Sequence, residues 1–282
     1  MLGYGTRDSK GDAIERAVIL ARGLGTRMRR ADASAPLDAD QSAAADTGVK
    51  AMIPVGRPFL DYVLSALADA GYREVCLVVG PEHQSVRDYY TVQSPPERTR
   101  ISFATQKEPL GTADAVAAAE DFAAGEDFLV INSDNDYPVS ALDALRRLGE
   151  TGTVLFEREA LSRNSNIPPE RIRSFAVCVV GSDGYLQSIL EKPDEAALRA
   201  AASTSLVSMN CWRFSEAIFA ACHDVPRSVR GELELPKAVE LAISRGDSRF
   251  RVVSSSEGVL DISTRGDIAA VAERLRGRTV RP

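Results

Sequence analysis

The chain has 282 residues, of which 34 are Lys or Arg and 40 are Asp or Glu, giving a formal net charge of −6 with 44% hydrophobic and 26% charged residues. That balance is ordinary for a globular protein and argues against a nucleic-acid or membrane-surface binder, which would carry a basic excess. A chain this long buries roughly three quarters of the surface its unfolded form exposes, so a full core is expected without disulfide or metal staples.

Residues 1–15 are polar and glycine-rich with no apolar h-region, and read as an N-terminal extension rather than a secretory signal. Apolar runs such as 75–79 and 175–180 fall far short of the ~20 residues that cross a bilayer, so a cytoplasmic protein with no membrane partner is expected. Cys76, Cys178, Cys211 and Cys222 are scattered, with no CxxC pair and no histidine at finger spacing, and read as buried free thiols. His83 and His223 are far apart and lack the partners of a nucleophilic triad.

Apolar periodicity predicts a first strand over 16–21, a glycine turn at 23–26 and a helix over 58–70 stopped by Gly71. Strands follow at 74–79, 101–105 and 128–132, with helices at 82–90 and 112–123 between them. This alternation is the start of a doubly wound α/β fold. Further strands are predicted at 153–157, 174–180, 186–190 and 206–212, and helices near 215–222, 235–244 and 264–276. Two stretches, 31–48 and 164–170, read as long loops.

The strand over 16–21 runs straight into "ARGLGTRMRR". Gly23 and Gly25 let the backbone approach a phosphate closely, and Arg27, Arg29 and Arg30 place guanidinium groups beside that turn. Met28 stands where a dinucleotide fingerprint needs its third glycine, and the Gly-Lys-Ser/Thr ending of a P-loop is missing. Asp134, at the carboxyl end of the 128–132 strand, is placed for a magnesium ion on phosphate oxygens, with Asp136 as a second candidate.

These features resemble the GxGTR signature of the sugar nucleotidyltransferases, the nucleoside-diphosphate-sugar pyrophosphorylases that include glucose-1-phosphate thymidylyl-, adenylyl- and uridylyltransferases. Similar motifs follow in the family's order from about residue 16 to 276: "GVKAMIPVGRP" with Lys50, "QKEPLGTADAV", "FLVINSDNDYP", "ILEKPD", "VRGELELPKAV" and "GVLDISTRGDI". Ser133 stands for the usual glycine, Pro236-Lys237 for Thr-Asp, and the path from Arg27 to Lys50 is longer than usual. Leu260 and Ser263 also depart from the pattern of the last motif.

The resemblance implies a Rossmann-like doubly wound mixed sheet, a single-domain nucleotidyltransferase core over 16–282 with sugar-binding insertions, and a cytoplasmic homo-oligomer. It implies an enzyme of NDP-sugar biosynthesis that joins a nucleoside triphosphate to a sugar 1-phosphate with Mg2+, releasing pyrophosphate. Arg27, Lys50 and Asp134 would be catalytic. Gly23, Leu24, Gly25, Thr26, Arg27, Gln106, Gly111 and Thr112 would bind the nucleotide. Asn135, Glu191, Lys192, Asn210 and Arg230 would hold the sugar phosphate, and Asp134 and Asp261 the metal. The base stays open, since "GTADAV" is most similar to adenylyl enzymes while the glutamine five positions before the glycine also occurs in thymidylyl and uridylyl ones. By the same resemblance these 282 residues are expected to hold the catalytic domain without the C-terminal β-helix of longer relatives. Two alternatives remain: the same chemistry on a cyclitol phosphate or another phosphorylated acceptor, and a non-catalytic regulatory subunit, which should lack Arg27, Lys50 or Asp134.

Overall fold

Three of the predicted strands, 16–21, 74–79 and 128–132, are nearly continuous apolar runs because both of their faces are covered, the pattern of a parallel sheet between helix layers. In the computed structural model, which describes residues 13–190 and 206–282, β1 (Arg16–Leu20), β2 (Glu74–Val79), β3 (Arg100–Thr105) and β4 (Phe128–Asn132) lie parallel in the order β3-β2-β1-β4. Ala17, Ile19, Val75, Leu77, Leu129 and Ile131 enter one core layer, while Val18, Leu20, Cys76, Val78, Phe128 and Val130 enter the other.

Beyond β4 the sheet becomes mixed. After β5 (Asn135–Asp136), β6 (Gly152–Glu157), β7 (Val177–Val180) and β8 (Leu186–Leu190), the long β9 (Leu206–Phe214) runs antiparallel between β4 and β6. β10 (Arg251–Ser255) completes that edge, and β11 (Leu260–Asp261) pairs with β5 in a separate two-stranded ribbon. The end of β9 anchors an aromatic cluster in which Trp212 stacks on Phe214 at 5.7 Å and Phe250 meets Trp212 edge-on at 5.8 Å. The doubly wound mixed sheet is thus the one anticipated.

Several helices differ from the sequence reading. Helix α1 (Thr26–Arg29) follows the glycine turn, and the supposed loop over 31–48 contains α2 (Ala39–Thr47). Asp38 and Gln41 cap α2 reciprocally: the Gln41 amide donates to the Asp38 carboxylate at 2.7 Å, and the Asp38 amide to the Gln41 side chain at 3.3 Å. Periodicity misses α2 because Ala45 is its only buried residue. Helix α3 (Phe59–Ala70) ends at Gly71 as expected. The predicted 82–90 helix is α4 (Gln84–Asp88) followed by a π turn, Tyr89–Gln93, and the 112–123 helix breaks into α5 (Thr112–Ala117) and α6 (Glu120–Ala123). Helices α7 (Val139–Arg146), α8 (Arg158–Asn164) and α9 (Pro169–Arg173) are additions, the last started by a proline at its first position within the supposed 164–170 loop. α10 (Ala217–Asp224), α11 (Leu235–Arg245) and α12 (Arg265–Leu275) lie where the periodicity puts them.

One buried side chain ties the stretch 31–48, an insertion in the path from Arg27 to Lys50, to α1 and α12. Arg265, at the start of α12, donates through Nε to the carbonyls of Met28 and Arg30, each at 3.0 Å, and pairs with Asp46 through Nη2. Arg29 in turn donates to the Thr47 carbonyl at 2.8 and 3.1 Å. Removing Arg265 strands those carbonyls, so Arg265→Ala is expected to lower stability by about 2–3 kcal/mol. A urea midpoint unchanged from wild type would show that the clamp carries no such weight.

All four cysteines are free and buried. Burial pushes the Cys76 thiol up to about 11 and those of Cys178 and Cys222 to about 12, so they remain unreactive thiols at neutral pH. Among the described residues no helix is long and apolar enough to cross a membrane.

Candidate functional site

The first hydrogen bonds past the strands keep their carboxyl ends level: the amide of Ala21 donates to Val78, that of Gln106 to Val79 and that of Ser133 to Leu20. Ligands of open α/β sheets bind at this edge. Here it opens into a cavity of ≈ 360 Å³.

The glycine turn forms one wall. Gly25 has φ +60°, and a Cβ there would lie 2.1 Å from the Gly48 carbonyl, so the turn and the end of the insertion touch backbone to backbone. Within α1, Met28 is buried as the anchor, whereas Thr26 and Arg27 stay exposed and line the cavity. Arg29 and Arg30 do not join them, contrary to the expected arginine cluster: Arg29 is committed to the Thr47 carbonyl, and neither residue lines the cavity. That contact depends on the fold of the insertion, where composition alone predicts a loop.

On the β4 side, Lys50 begins a 3-10 turn (Lys50–Met52) and forms an ion pair with Oδ2 of Asp134, both side chains being largely buried. On the β3 side, Gln106 donates from Nε2 to the Gly111 carbonyl at 2.9 Å and to the Asp114 carboxylate at 2.7 Å. Gly111 has φ +131°, and a Cβ there would sit 2.4 Å from the Leu233 carbonyl. The turn is stitched to that same segment, since Ala113 N donates to Leu233 O at 2.9 Å and Leu235 N to Thr112 Oγ1 at 2.8 Å. Across the cavity Asn210 sits in β9 with φ +56°, a left-handed conformation that asparagine tolerates better than most residues, and the Trp212 ring N–H reaches its side-chain oxygen at 3.4 Å.

The cavity therefore gathers Gly23, Leu24, Gly25, Thr26, Arg27, Lys50, Gln106, Gly111, Thr112, Asp134 and Asn210. Four other candidates do not line it. Arg230 pairs with Glu234 at 2.9 Å. Asn135 is buried on β5, donating to Asp261 Oδ2 at 3.0 Å. Asp261 on β11 also takes Arg171 Nη1 on Oδ1 at 2.5 Å and the Ser263 hydroxyl on Oδ2 at 3.2 Å. Asp136 is likewise turned away, buried against Arg278 at 2.5 Å. Glu191 and Lys192 lie outside the described residues, as do 1–12 of the expected N-terminal extension.

Sequence reasoning misses Arg22, Asn132, Ser133, Glu232 and Ser263, all of which line the cavity. Glu232 is within its reach, since it lies two positions from Arg230 in the same motif. Arg22 is also within reach, being the residue between strand and turn.

For a divalent cation the donors are unequal. Asp134 is a hard oxygen ligand at a strand end. Burial, and after it the facing Asp134 carboxylate, push the Asp261 carboxyl above its usual range, while protein donors already occupy both of its oxygens. No three potential ligand side chains cluster among the described residues. Magnesium bound with substrate phosphates uses only one or two protein carboxylates, so Asp134 fits this role, with Asp261 held beside it by Arg171.

A profile of the family described as Nucleotidyl transferase matches residues 16–276. The UTP–glucose-1-phosphate uridylyltransferase AglF of Haloferax volcanii is 30% identical over 231 residues, 82% of this chain and 84% of that protein. The bifunctional protein GlmU of Methanococcus vannielii is 29% identical over 80% of this chain, which spans 47% of that longer relative. A UDP-glucose pyrophosphorylase solved with UDP-glucose shares the fold at a TM-score of 0.72, with 18% identity over 94% of this chain and 100% of that one.

Proposed function

This chain belongs to the nucleotidyl transferase family, and on that premise we propose that it couples a nucleoside triphosphate to a sugar 1-phosphate, releasing pyrophosphate and an NDP-sugar, with residues 16–282 as its catalytic domain. The observation that carries this reading is the convergence of Arg27, the Lys50–Asp134 pair and the Gln106–Gly111 turn on one cavity. Cations and a hydrogen-bonding turn on one cavity suit the phosphates and the base of a nucleotide.

The sugar phosphate is itself an anionic nucleophile, so the site needs little proton transfer. Catalysis is positioning and charge neutralisation around an in-line displacement at the α-phosphorus. Arg27, exposed and forked, stabilises the departing pyrophosphate. Lys50, held by Asp134, orients the α-phosphate against the acceptor. Asn210 contacts the sugar, and Glu191 and Lys192 hold its hydroxyls and phosphate. Magnesium at Asp134 supplies neutralisation of phosphate charge when bound.

The test is pyrophosphate release with magnesium across a grid of nucleoside triphosphates and sugar or cyclitol phosphates. Release from at least one pair with a sugar 1-phosphate is expected. Release only with a cyclitol phosphate would change the acceptor, and none from any pair would favour a non-catalytic subunit.

A further inference from the structure

Asp134 and Asp261 come together through the backbone. Ile262 N donates to the Asp134 carbonyl at 2.9 Å, and Asp261 pairs with Asn135 across the β5–β11 ribbon. The family resemblance gives both carboxylates to the metal, yet their surroundings differ. Asp134 lines the cavity and, among the described residues, takes one donor, the ammonium of Lys50 on its long flexible stem. Asp261 is buried and does not line the cavity, and its oxygens already have donors, Arg171 on Oδ1 and Asn135 with Ser263 on Oδ2.

Arg171, on α9, is not free to leave. Its Nη2 donates to Asp267 Oδ1 at 2.7 Å and its Nη1 to Asp267 Oδ2 at 3.1 Å, while the amides of Ser263 and Thr264 hold Asp267 at the start of α12. The segment that carries Arg171 is fastened twice more. The Asn166 side chain bonds both the amide and the carbonyl of Asp261, each at 2.8 Å, and Arg274 donates to the carbonyls of Asn164 and Ser165. The guanidinium therefore stays beside Asp261 whatever approaches Oδ1. A dication on that oxygen would meet a fixed positive charge where both side chains are largely buried and little water screens them.

We propose that Arg171 is a positioning residue that reserves Asp261 as a countercharge, so that among the described carboxylates Asp134 alone ligates the divalent cation. This rests on the nucleotidyl-transfer reading above only for the place of the cation in the reaction. The two carboxylates thus have separate tasks. Lys50 can yield Asp134 to a cation, whereas Arg171, forked onto Asp267, does not yield Asp261.

The experiment titrates Mn2+ alone into the full chain, followed by its paramagnetic resonance signal, with thermal melting in the presence and absence of Mn2+. The proteins are the wild type, Asp134→Asn, Asp261→Asn, Arg171→Met and the double variant of Arg171→Met with Asp261→Asn. Asp261→Asn is expected to move the Mn2+ affinity by less than about threefold, where Asp134→Asn weakens it by about tenfold or more. Arg171→Met removes the cation from Oδ1. It is expected to bind Mn2+ about tenfold or more tighter than the wild type and to gain more melting temperature from it. Adding Asp261→Asn should return that gain. A merely structural arginine would lower the melting temperature and leave the affinity equal or weaker.

Three results would overturn the proposal: Asp261→Asn as damaging to Mn2+ binding as Asp134→Asn, no gain in a folded Arg171→Met, or a gain that survives the second substitution. Where Arg171→Met does not fold, the comparison of Asp261→Asn with Asp134→Asn decides alone. Pyrophosphate release from the wild type is measured separately. The expected Mn2+ pattern with no pyrophosphate from any nucleotide and acceptor would leave Arg171 its role and overturn transfer, and release with the opposite Mn2+ pattern would do the reverse.

Discussion

Asp134→Asn is expected to lower kcat by on the order of a hundredfold to a thousandfold while the protein melts as a folded molecule. The substitution keeps the shape of the side chain and removes only its charge. That charge holds Lys50, with both groups largely screened from solvent, and it is the carboxylate best placed for a cation at the cavity. Loss should therefore appear twice, as a slower turnover and as weaker binding of Mn2+ followed by its paramagnetic resonance signal. Arg27→Ala should slow turnover on the same order through the departing pyrophosphate but leave Mn2+ binding alone. Turnover at the wild-type rate in Asp134→Asn would remove the assigned role.

Gly25→Ala is expected to abolish most activity and to lower stability by about 2–4 kcal/mol. Two effects coincide at this position: φ is +60°, and the new Cβ would lie 2.1 Å from the Gly48 carbonyl. Relief requires the backbone at Gly48 to move, and Lys50 N is itself bonded to Gly48 O, so the displacement passes to the lysine. Gly231→Ala separates the two effects. Gly231 has φ +78°, and a Cβ added there would meet nothing within 4 Å, so only the conformational penalty of about 1–2 kcal/mol applies. Equal urea midpoints for the two variants would show that the contact with Gly48 contributes nothing.

The parts of this fold legible in the sequence are those whose burial has a period. β1, β2 and β4 are apolar on both faces, and α3 shows its buried stripe and its glycine stop, so their limits agree to within a residue or so. α2 rests on its cap and on Arg265 rather than on an apolar face, and its signal, Asp38 followed by Gln41, is a short polar pattern in an alanine-rich stretch. The two prolines that suggest a loop at 164–170 instead start a helix, because the second occupies a position that needs no amide hydrogen.

The site divides in the same way. Residues on one continuous strand or turn, Gly23 through Arg27 and Asp134, can be placed on the cavity from their own segment. The surroundings of Asp261 cannot, because Arg171 arrives from 90 residues away and Asn135 from 126. Ser263, which breaks the family pattern, supplies a hydroxyl to that carboxylate, so the departure has a local purpose that spacing does not reveal.

The Arg265 clamp also orders events in time. Its guanidinium reaches Met28 across 237 positions of sequence. A ribosome delivers the glycine turn early and the arginine near the end, so β1 to β4 can pair during synthesis while the turn beside them still lacks its final support. The glycine-turn end of the cavity is thus finished only after Arg265 has emerged, and a nascent chain stalled before α12 would hold a sheet but not a complete cavity.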